Sequence, residues 1–317
     1  MASSRDIKNR IKSIGNTKKI TRAMELVSAA KMRKAIEAAL KTRTYANLSW
    51  ATVLNLAKAA NGHDGRPLHP LLEQKNKLER VAVILITANR GLCGGFNSAI
   101  IKKAIESVKS HQSAGEFFLI GKKGAVVHKN FGYEVVADFP KLDFINEVSE
   151  VVPLAQMVIK DYLAGKYDKI MVAYTDYINA AKQLPRVKQF LPIDIKETGQ
   201  SLGITGADSR LGLDQKFIVE KEKKYLQHDQ FNYEYIFEPS PAEVLDEMLP
   251  RLLEIQLYQA LLESNAAEHS ARMSAMHQAT EAAGDMVKEL TLSYNKARQA
   301  GITAEIAEIS AGANALA

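Results

Sequence analysis

Cysteine occurs once in the 317 residues, at Cys93. That excludes an internal disulfide and leaves no thiolate set for a metal cluster. Cys93 itself is read as a small buried hydrophobe, and a reducing compartment fits. No apolar run approaches the roughly 20 residues of a bilayer span; runs such as Val81–Ala88 stop far short. The expectation is a chain that does not cross a membrane, although it can dock on something that does. The N-terminus carries no apolar signal core. It is basic and amphipathic, but Asp6, Glu25 and Glu37 interrupt it and no cleavage-like boundary follows, which argues against a transit peptide. The seven histidines show no metal-ligand spacing beyond His63/His69 and His269/His277, and each is read as surface or packing. Nucleophile, acid–base pair and metal cluster are all missing, so no catalytic, cofactor-binding or metal-binding residue is expected.

What is present is an ordinary composition, 46% hydrophobic and 25% charged, in a chain long enough for one or two sizeable cores. Charge is placed unevenly. Residues 1–45 hold twelve Lys/Arg against three Asp/Glu, and the remainder holds 30 against 33. The net charge of +6 therefore comes from the first segment. Such a segment marks a solvated face or an acidic partner. It has no interleaved aromatics and its apolar stripe is needed elsewhere, which weighs against nucleic acid.

From about Ser3 to Ala60 there is no proline and one glycine, Gly15, in a background of alanine, lysine, arginine and leucine. This favours helix. Apolar residues recur as Ile7, Ile11, Ile14, then Ile20, Met24, Val27, then Met32, Ile36, Leu40. The triplets are offset by six and five residues, so a drifting seam is expected rather than a strict heptad. Asn61 to Pro70 reads as a loop. Val81–Thr87 is a continuous β-branched run suited to a strand buried on both faces. Helices are expected over Ser98–His111, Lys122–Asn130 and Val148–Leu163, alternating with strands at Phe117–Ile120, Glu134–Ala137 and Lys169–Tyr174. That alternation predicts a largely parallel sheet with helices packed on it, an α/β domain of Rossmann-like type. Pro192–Gln230 is polar and hard to read, with possible strands at Lys216–Val219 and Asn232–Phe237. Ser240, Pro241 and Glu243 then form a helix start. Pro250 is expected to kink the helix that follows. Alanines 267, 271, 275, 279 and 283 make a four-residue stripe, and Ala283, Val287, Leu290, Tyr294 and Ala297 a heptad-like seam, finished by Ile302, Ile306 and Ile309.

At about 1.5 Å per residue the last helix would reach roughly 110 Å and the first roughly 85 Å, against a compact domain only a few tens of Å across. The helices are therefore expected to pair as an antiparallel coiled coil, with the α/β domain inserted between them. The division is 1–60 stalk helix, 61–238 globular foot and 239–317 stalk helix.

At both ends and in the middle the sequence resembles the γ subunits of F-type ATP synthases. The residues that carry the likeness run from Arg5-Asp-Ile-Lys-Asn-Arg-Ile through Met24 to Lys31, from Asn89-Arg-Gly-Leu-Cys-Gly-Gly-Phe-Asn97, and from Tyr294 through Arg298-Gln299 and Ile302-Thr303-Ala-Glu305 to Ala313. The resemblance implies a shaft inside a hexamer of α and β subunits, with the foot on a membrane-embedded c-ring beside an ε-type subunit. It implies a peripheral place on the cytoplasmic side of a bacterial plasma membrane, or alternatively an organelle membrane. Met24 would lie in the coupling region with Lys18, Lys19 and Arg22 nearby, and Arg272 on the facing helix. Arg298, Gln299, Thr303 and Glu305 would contact the catalytic subunits, and Tyr235 and Glu238 the foot's partners. The stretch from about Ile195 to Gln230 is longer than in simple bacterial members and holds no cysteine, which excludes the thiol switch found in some photosynthetic ones. Read without the resemblance, Met24 is a packing methionine on an apolar stripe.

Two rival classes are carried forward. One is a bridging protein, an α/β domain on a coiled-coil arm. The other is a nucleotide-dependent enzyme using the turn Gly91–Gly95 between strand and helix. That turn is not G-x-G-x-x-G, and Gly121-Lys-Lys-Gly124 is no Walker motif. Close strand–helix packing, or a contact onto the stalk, accounts for the glycines better.

Overall fold

The computed structural model describes residues 4–60, 69–75, 78–111, 114–141, 147–193, 238 and 240–316. The order of elements is α1 (Ser4–Ala60), β1 (Arg80–Ile86), α2 (Phe96–Ser110), β2 (Ala114–Ile120), α3 (Val126–Phe131), β3 (Glu134–Phe139), α4 (Val152–Leu163), β4 (Lys169–Tyr177), β5 (Gln183–Leu191) and α5 (Pro241–Leu316). Contacts divide the chain into two compact units, Met1–Ser28 with Arg272–Ala317, and Ala29–Ala271.

The larger unit is built on a five-stranded sheet of order β3-β2-β1-β4-β5. β1 pairs in parallel with β2 and β4, and β2 with β3. β1 is buried on both faces from Val81 to Ile86, as its uninterrupted apolar run requires. Val81, Val83 and Leu85 meet α2 through Ile100, Ile101 and Ala104. Ala82, Ile84 and Ile86 face the opposite layer, where α4 and the first part of α5 pack through Val158, Leu253 and Leu257. Each valine, leucine or isoleucine among them, fully removed from water, stabilises by about 1.5–3 kcal/mol.

Prolines and glycines shift the expected boundaries. Lys122–Asn130 divides into a 3₁₀ turn, Lys122–Ala125, and the short α3. Val148–Leu163 divides in the same way into Val148–Glu150 and α4, with Pro153 in the first turn of the latter. Gly121 ends β2 with φ of 99°, and a Cβ there would lie 2.3 Å from the Thr87 carbonyl oxygen. Only glycine meets both conditions. Ser240 caps α5 as expected: its Oγ accepts from the Glu243 amide at 3.3 Å and donates to the Glu243 carboxylate at 3.1 Å. Pro250 sits inside α5 without ending it.

One strand went unforeseen. β5 runs antiparallel to β4 at the sheet edge, joined by a tight turn at Asn179–Lys182. Its half-buried Pro185, Arg186 and Lys188 carry no hydrophobic alternation, and proline is tolerated because an edge strand has amides to spare. The expected strands at Lys216–Val219 and Asn232–Phe237, the stretch 195–230 and Tyr235 lie outside the described residues.

His69, at the foot of a 3₁₀ turn opened by Pro70, ties that turn to α5. Its Nδ1 accepts from the Leu71 amide at 3.0 Å, and its Nε2 lies 3.0 Å from Asp246 Oδ1. Burial lowers the pKa and outweighs Asp246, which raises it. The neutral ring is therefore the one that fits. A folded-state pKa below the usual 6.5 gives stability that is present above about pH 6.5 and is lost as pH falls through the folded value. Relative to His69→Asn, whose amide oxygen can accept the same bond without titrating, the parent chain should lose stability between pH 7 and 5. Denaturant midpoints that keep a constant difference across that range would contradict this.

Candidate functional site

Rossmann-like sheets take nucleotides in the crevice beyond the carboxyl ends of the strands where the order reverses. Here that place follows β1, and it is filled. Ala88, Cys93 and Phe96 of the glycine turn pack with Tyr177 against Ala35 and Ile36 of α1 and Ala266 and Ala267 of α5. Cys93 is 1% exposed, a buried small side chain as expected. Asn97 Oδ1 accepts from the Ala88 amide at 2.9 Å, and Asn89 binds the Lys141 carbonyl. Leu92 holds φ of 63°, in the left-handed region that side chains avoid, and Gly94 holds 55°. The turn thus supports the two helices, and among the described residues its side chains pack on them. Beside it, Lys141 Nζ and Glu268 Oε2 form an ion pair of 2.7 Å with both side chains almost wholly buried. Removing one partner of such a pair costs about 3–5 kcal/mol, because the other charge is stranded without water.

In the smaller unit, α1 residues up to Ser28 pack antiparallel on α5 from Arg272 onward. Thr21 Oγ1 meets Thr280 Oγ1 at 2.7 Å, and Glu25 Oε1 lies 3.2 Å from His277 Nδ1. His277 Nε2 lies 3.5 Å from Glu281. On α5 the seam is as expected: Ala283 is buried with Gly284 beside it, Val287, Leu290, Tyr294 and Ala297 are half-buried, and the residues between them are exposed. Ala275 and Ala279 are half-buried, while Met276 sits deeper.

On α1 the expected seam is corrected. Ile7, Ile11 and Ile14 are half-covered, but the next turns bury Thr21 and Ser28 and half-bury Glu25, continuing the same four-three spacing. Ile20, Leu26 and Val27 are 60%, 58% and 55% exposed. Met24 is half-buried and the triplet Met32, Ile36 and Leu40 is covered as expected, so the departure is confined to Ile20 and Val27, whose place in the seam Thr21 and Ser28 take. Polar pairing across it, through the threonines and through Glu25 with His277, makes that possible. Ile302, Ile306 and Ile309 are likewise exposed and do not finish the seam. The register that pairs Thr21 with Thr280 puts Ser4, the first described residue of α1, opposite Ala297.

Of the residues singled out earlier, Lys18, Lys19 and Arg22 come together. They line one groove with Gly15, Gly284 and Lys288. Arg22 pairs with Glu25 at 2.7 Å. Met24 is half-buried beside them, and its carbonyl accepts from Ser28 Oγ at 2.7 Å. Arg272 is buried. Arg298, Gln299, Thr303 and Glu305 lie exposed along the end of α5, where Thr303 Oγ1 donates to the Gln299 carbonyl at 2.9 Å. Glu238 is exposed in the larger unit. Thr21, Glu25, His277, Thr280, Lys141 and Glu268 were not anticipated. The signal for Thr21 and Glu25 is the heptad continued from Ile14, and for Thr280 the α5 seam continued back from Ala283.

Gly15 has open space where a Cβ would stand and sits inside a helix. Gly15→Ala should raise the thermal midpoint of the isolated chain, a gain of about 0.5–1 kcal/mol. A lowered midpoint in circular dichroism would show that the groove floor is already occupied.

The chain matches a family model described as ATP synthase over residues 3–316. It is 40% identical to the ATP synthase gamma chain of Herpetosiphon aurantiacus, covering 100% of this chain and 99% of that one. It is 40% identical to the gamma chain of Pelotomaculum thermopropionicum, over the full length of both. The gamma chain of Legionella pneumophila is 36% identical, again over both full lengths. Among solved structures, a chain of the mitochondrial ATP synthase of Euglena gracilis (OSCP, F1 and c-ring, rotational state 3) aligns with TM-score 0.62 at 18% identity. That alignment covers 99% of this chain and 94% of that one. A chain of the central stalk and c-ring structure from Tetrahymena thermophila gives 0.57 at 19% identity, with 82% and 99% covered. These two speak for the fold. The family match over residues 3–316 and gamma-chain kinship from end to end lead to one conclusion: this chain belongs to the ATP synthase gamma-chain family.

Proposed function

We propose that this chain is the central rotor shaft of a proton-translocating F-type ATP synthase, a non-catalytic subunit that couples rotation of a membrane ring to conformational change in the catalytic subunits. The observation that carries the reading is kinship to gamma chains along the entire length. The uncovered apolar residues of the smaller unit support it. Ile20, Leu26 and Val27 on α1, and Ile302, Ile306 and Ile309 on α5, are side chains that helices leave in water when a partner covers them.

The partners are the α and β subunits of the hexamer, an ε-type subunit and the c-ring. The division into stalk helices 1–60 and 239–317 and a foot 61–238 belongs to the same reading. Met24, Lys18, Lys19 and Arg22 with Arg272 serve the coupling region, and Arg298, Gln299, Thr303 and Glu305 the upper contacts. Tyr235 and Glu238 serve the foot. No helix among the described residues is long and apolar enough to cross a membrane. The chain is held at the membrane through its complex, on the cytoplasmic side of a bacterial plasma membrane. As the shaft turns, each catalytic site meets a different face of it, and the difference in contact energy between faces sets that site's affinity for nucleotide. The coupling is reciprocal, so hydrolysis drives the shaft backwards.

Reconstitution tests the reading. Mixed with α and β subunits of a relative, the chain should give a three-to-three-to-one complex with ATPase activity that the mixture lacks without it. Folded subunits that fail to associate would favour the bridging protein instead. Within the full complex, Met24→Lys should leave assembly and hydrolysis largely intact while lowering ATP-driven proton pumping several-fold. Unchanged pumping per ATP in membrane vesicles would remove Met24 from the coupling role.

A further inference from the structure

From Leu252 to Ser270 every residue of α5 is buried. The sheet-facing side, with Leu253, Leu257 and Leu261, makes apolar contacts, which resist rotation by close packing and carry no directional bond. Polar contacts on two flanks are directional. On one flank Glu268 Oε2 takes Lys141 Nζ at 2.7 Å. Lys141 is itself rooted in the ends of the first strands. Its carbonyl accepts from Asn89 Nδ2, in the turn after β1, and Asn89 Oδ1 accepts from the Lys122 amide, after β2. On the other flank Ser270 Oγ donates to the Ala180 carbonyl at 2.9 Å and accepts from Gln183 Nε2 at 3.2 Å, both in the β4–β5 hairpin. At 3.6 residues per turn, Glu268 and Ser270 lie about 200° apart around the helix axis.

We propose that the Lys141–Glu268 ion pair, opposed by Ser270 on the hairpin, is a rotation lock that passes torque between the sheet and α5. Turning the helix in either sense lengthens one of the two contacts. The pair is the stiffer of them, because separating charges that are almost wholly buried leaves each without solvent. Lys141 and Glu268 are positioning residues and touch no substrate. The proposal rests on the shaft reading above.

The test uses the intact complex in vesicles and measures protons pumped per ATP hydrolysed. For Glu268→Gln, in which the carboxylate no longer balances the ammonium, pumping per ATP should fall at least about threefold while hydrolysis stays within about twofold. Exchanging the charges, Lys141→Glu with Glu268→Lys, should recover most of the ratio. A merely structural pair would lower the melting temperature and leave that ratio at the parent value, and this outcome in the assembled Glu268→Gln complex overturns the lock. If Glu268→Gln does not assemble, Lys141→Met with Glu268→Met fills the volume without a stranded charge. Reduced coupling in that pair supports the lock, and full coupling overturns it. A parent complex that assembles and hydrolyses ATP without pumping counts against the shaft reading, and is told apart because no substitution is then involved.

Discussion

The antiparallel seam of the smaller unit imposes a phase, and that phase decides which side chains stay outside. Once Ile7, Ile11 and Ile14 face α5, four-three spacing brings Thr21, Glu25 and Ser28 inward in the following turns. Their polarity would make a poor interface if the opposing helix were apolar. It is not: Thr280 and His277 stand opposite and complete the pairs. Polar groups inside a two-helix seam lower its stability but specify register, since a slip by one residue would leave hydroxyls and a carboxylate unmatched. The helix keeps its register this way and leaves Ile20, Leu26 and Val27 free to face another surface.

The larger unit reuses a nucleotide-binding topology for another purpose. The strand order and the glycine-bearing turn after β1 belong to a fold that elsewhere aims amides at phosphates. Here Cys93 and Phe96 pack at that place against α1 and α5. Fold alone would have pointed to a cofactor. The contents of the crevice point to a joint between a sheet and two helices.

Much of this was legible in the residues. The run Val81–Thr87 could only be a buried strand, the proline-free start a helix, and Ser240-Pro241 with Glu243 a cap. Local chemistry decides such features, and it is written locally. β5 escaped because edge strands need neither apolar alternation nor freedom from proline, so Pro185, Arg186 and Lys188 looked like loop. The seam of α1 misled for the opposite reason. Hydrophobicity marks what is buried somewhere, and Ile20 and Val27 suit a surface supplied from outside the chain, whereas the seam itself is set by a helix some 250 residues away in sequence. Lys141 and Glu268 gave no warning, because a pair separated by 127 residues exists only once the sheet has brought its ends together. The groove cluster of Lys18, Lys19 and Arg22 was visible as a run of charge, and its neighbours Gly284 and Lys288 were not.

The last part of α5 stands beyond the register of α1, and helices gain most of their stability from tertiary packing and little from propensity. From Gln299 to Ala311 the helix has exposed side chains and a glycine at 301. Its order is therefore supported by alanine-rich propensity and by whatever encloses it. An enclosing surface would supply the packing free energy that the segment lacks on its own, and part of its affinity would go into holding the helix straight. Such a tip can be gripped without being welded. Its exposed Ile302, Ile306 and Ile309 would meet such a surface through contacts with no directional bond to break. The same helix thus carries a buried ion pair at Glu268 and a row of exposed isoleucines past Arg298, two kinds of surface with opposite demands on direction.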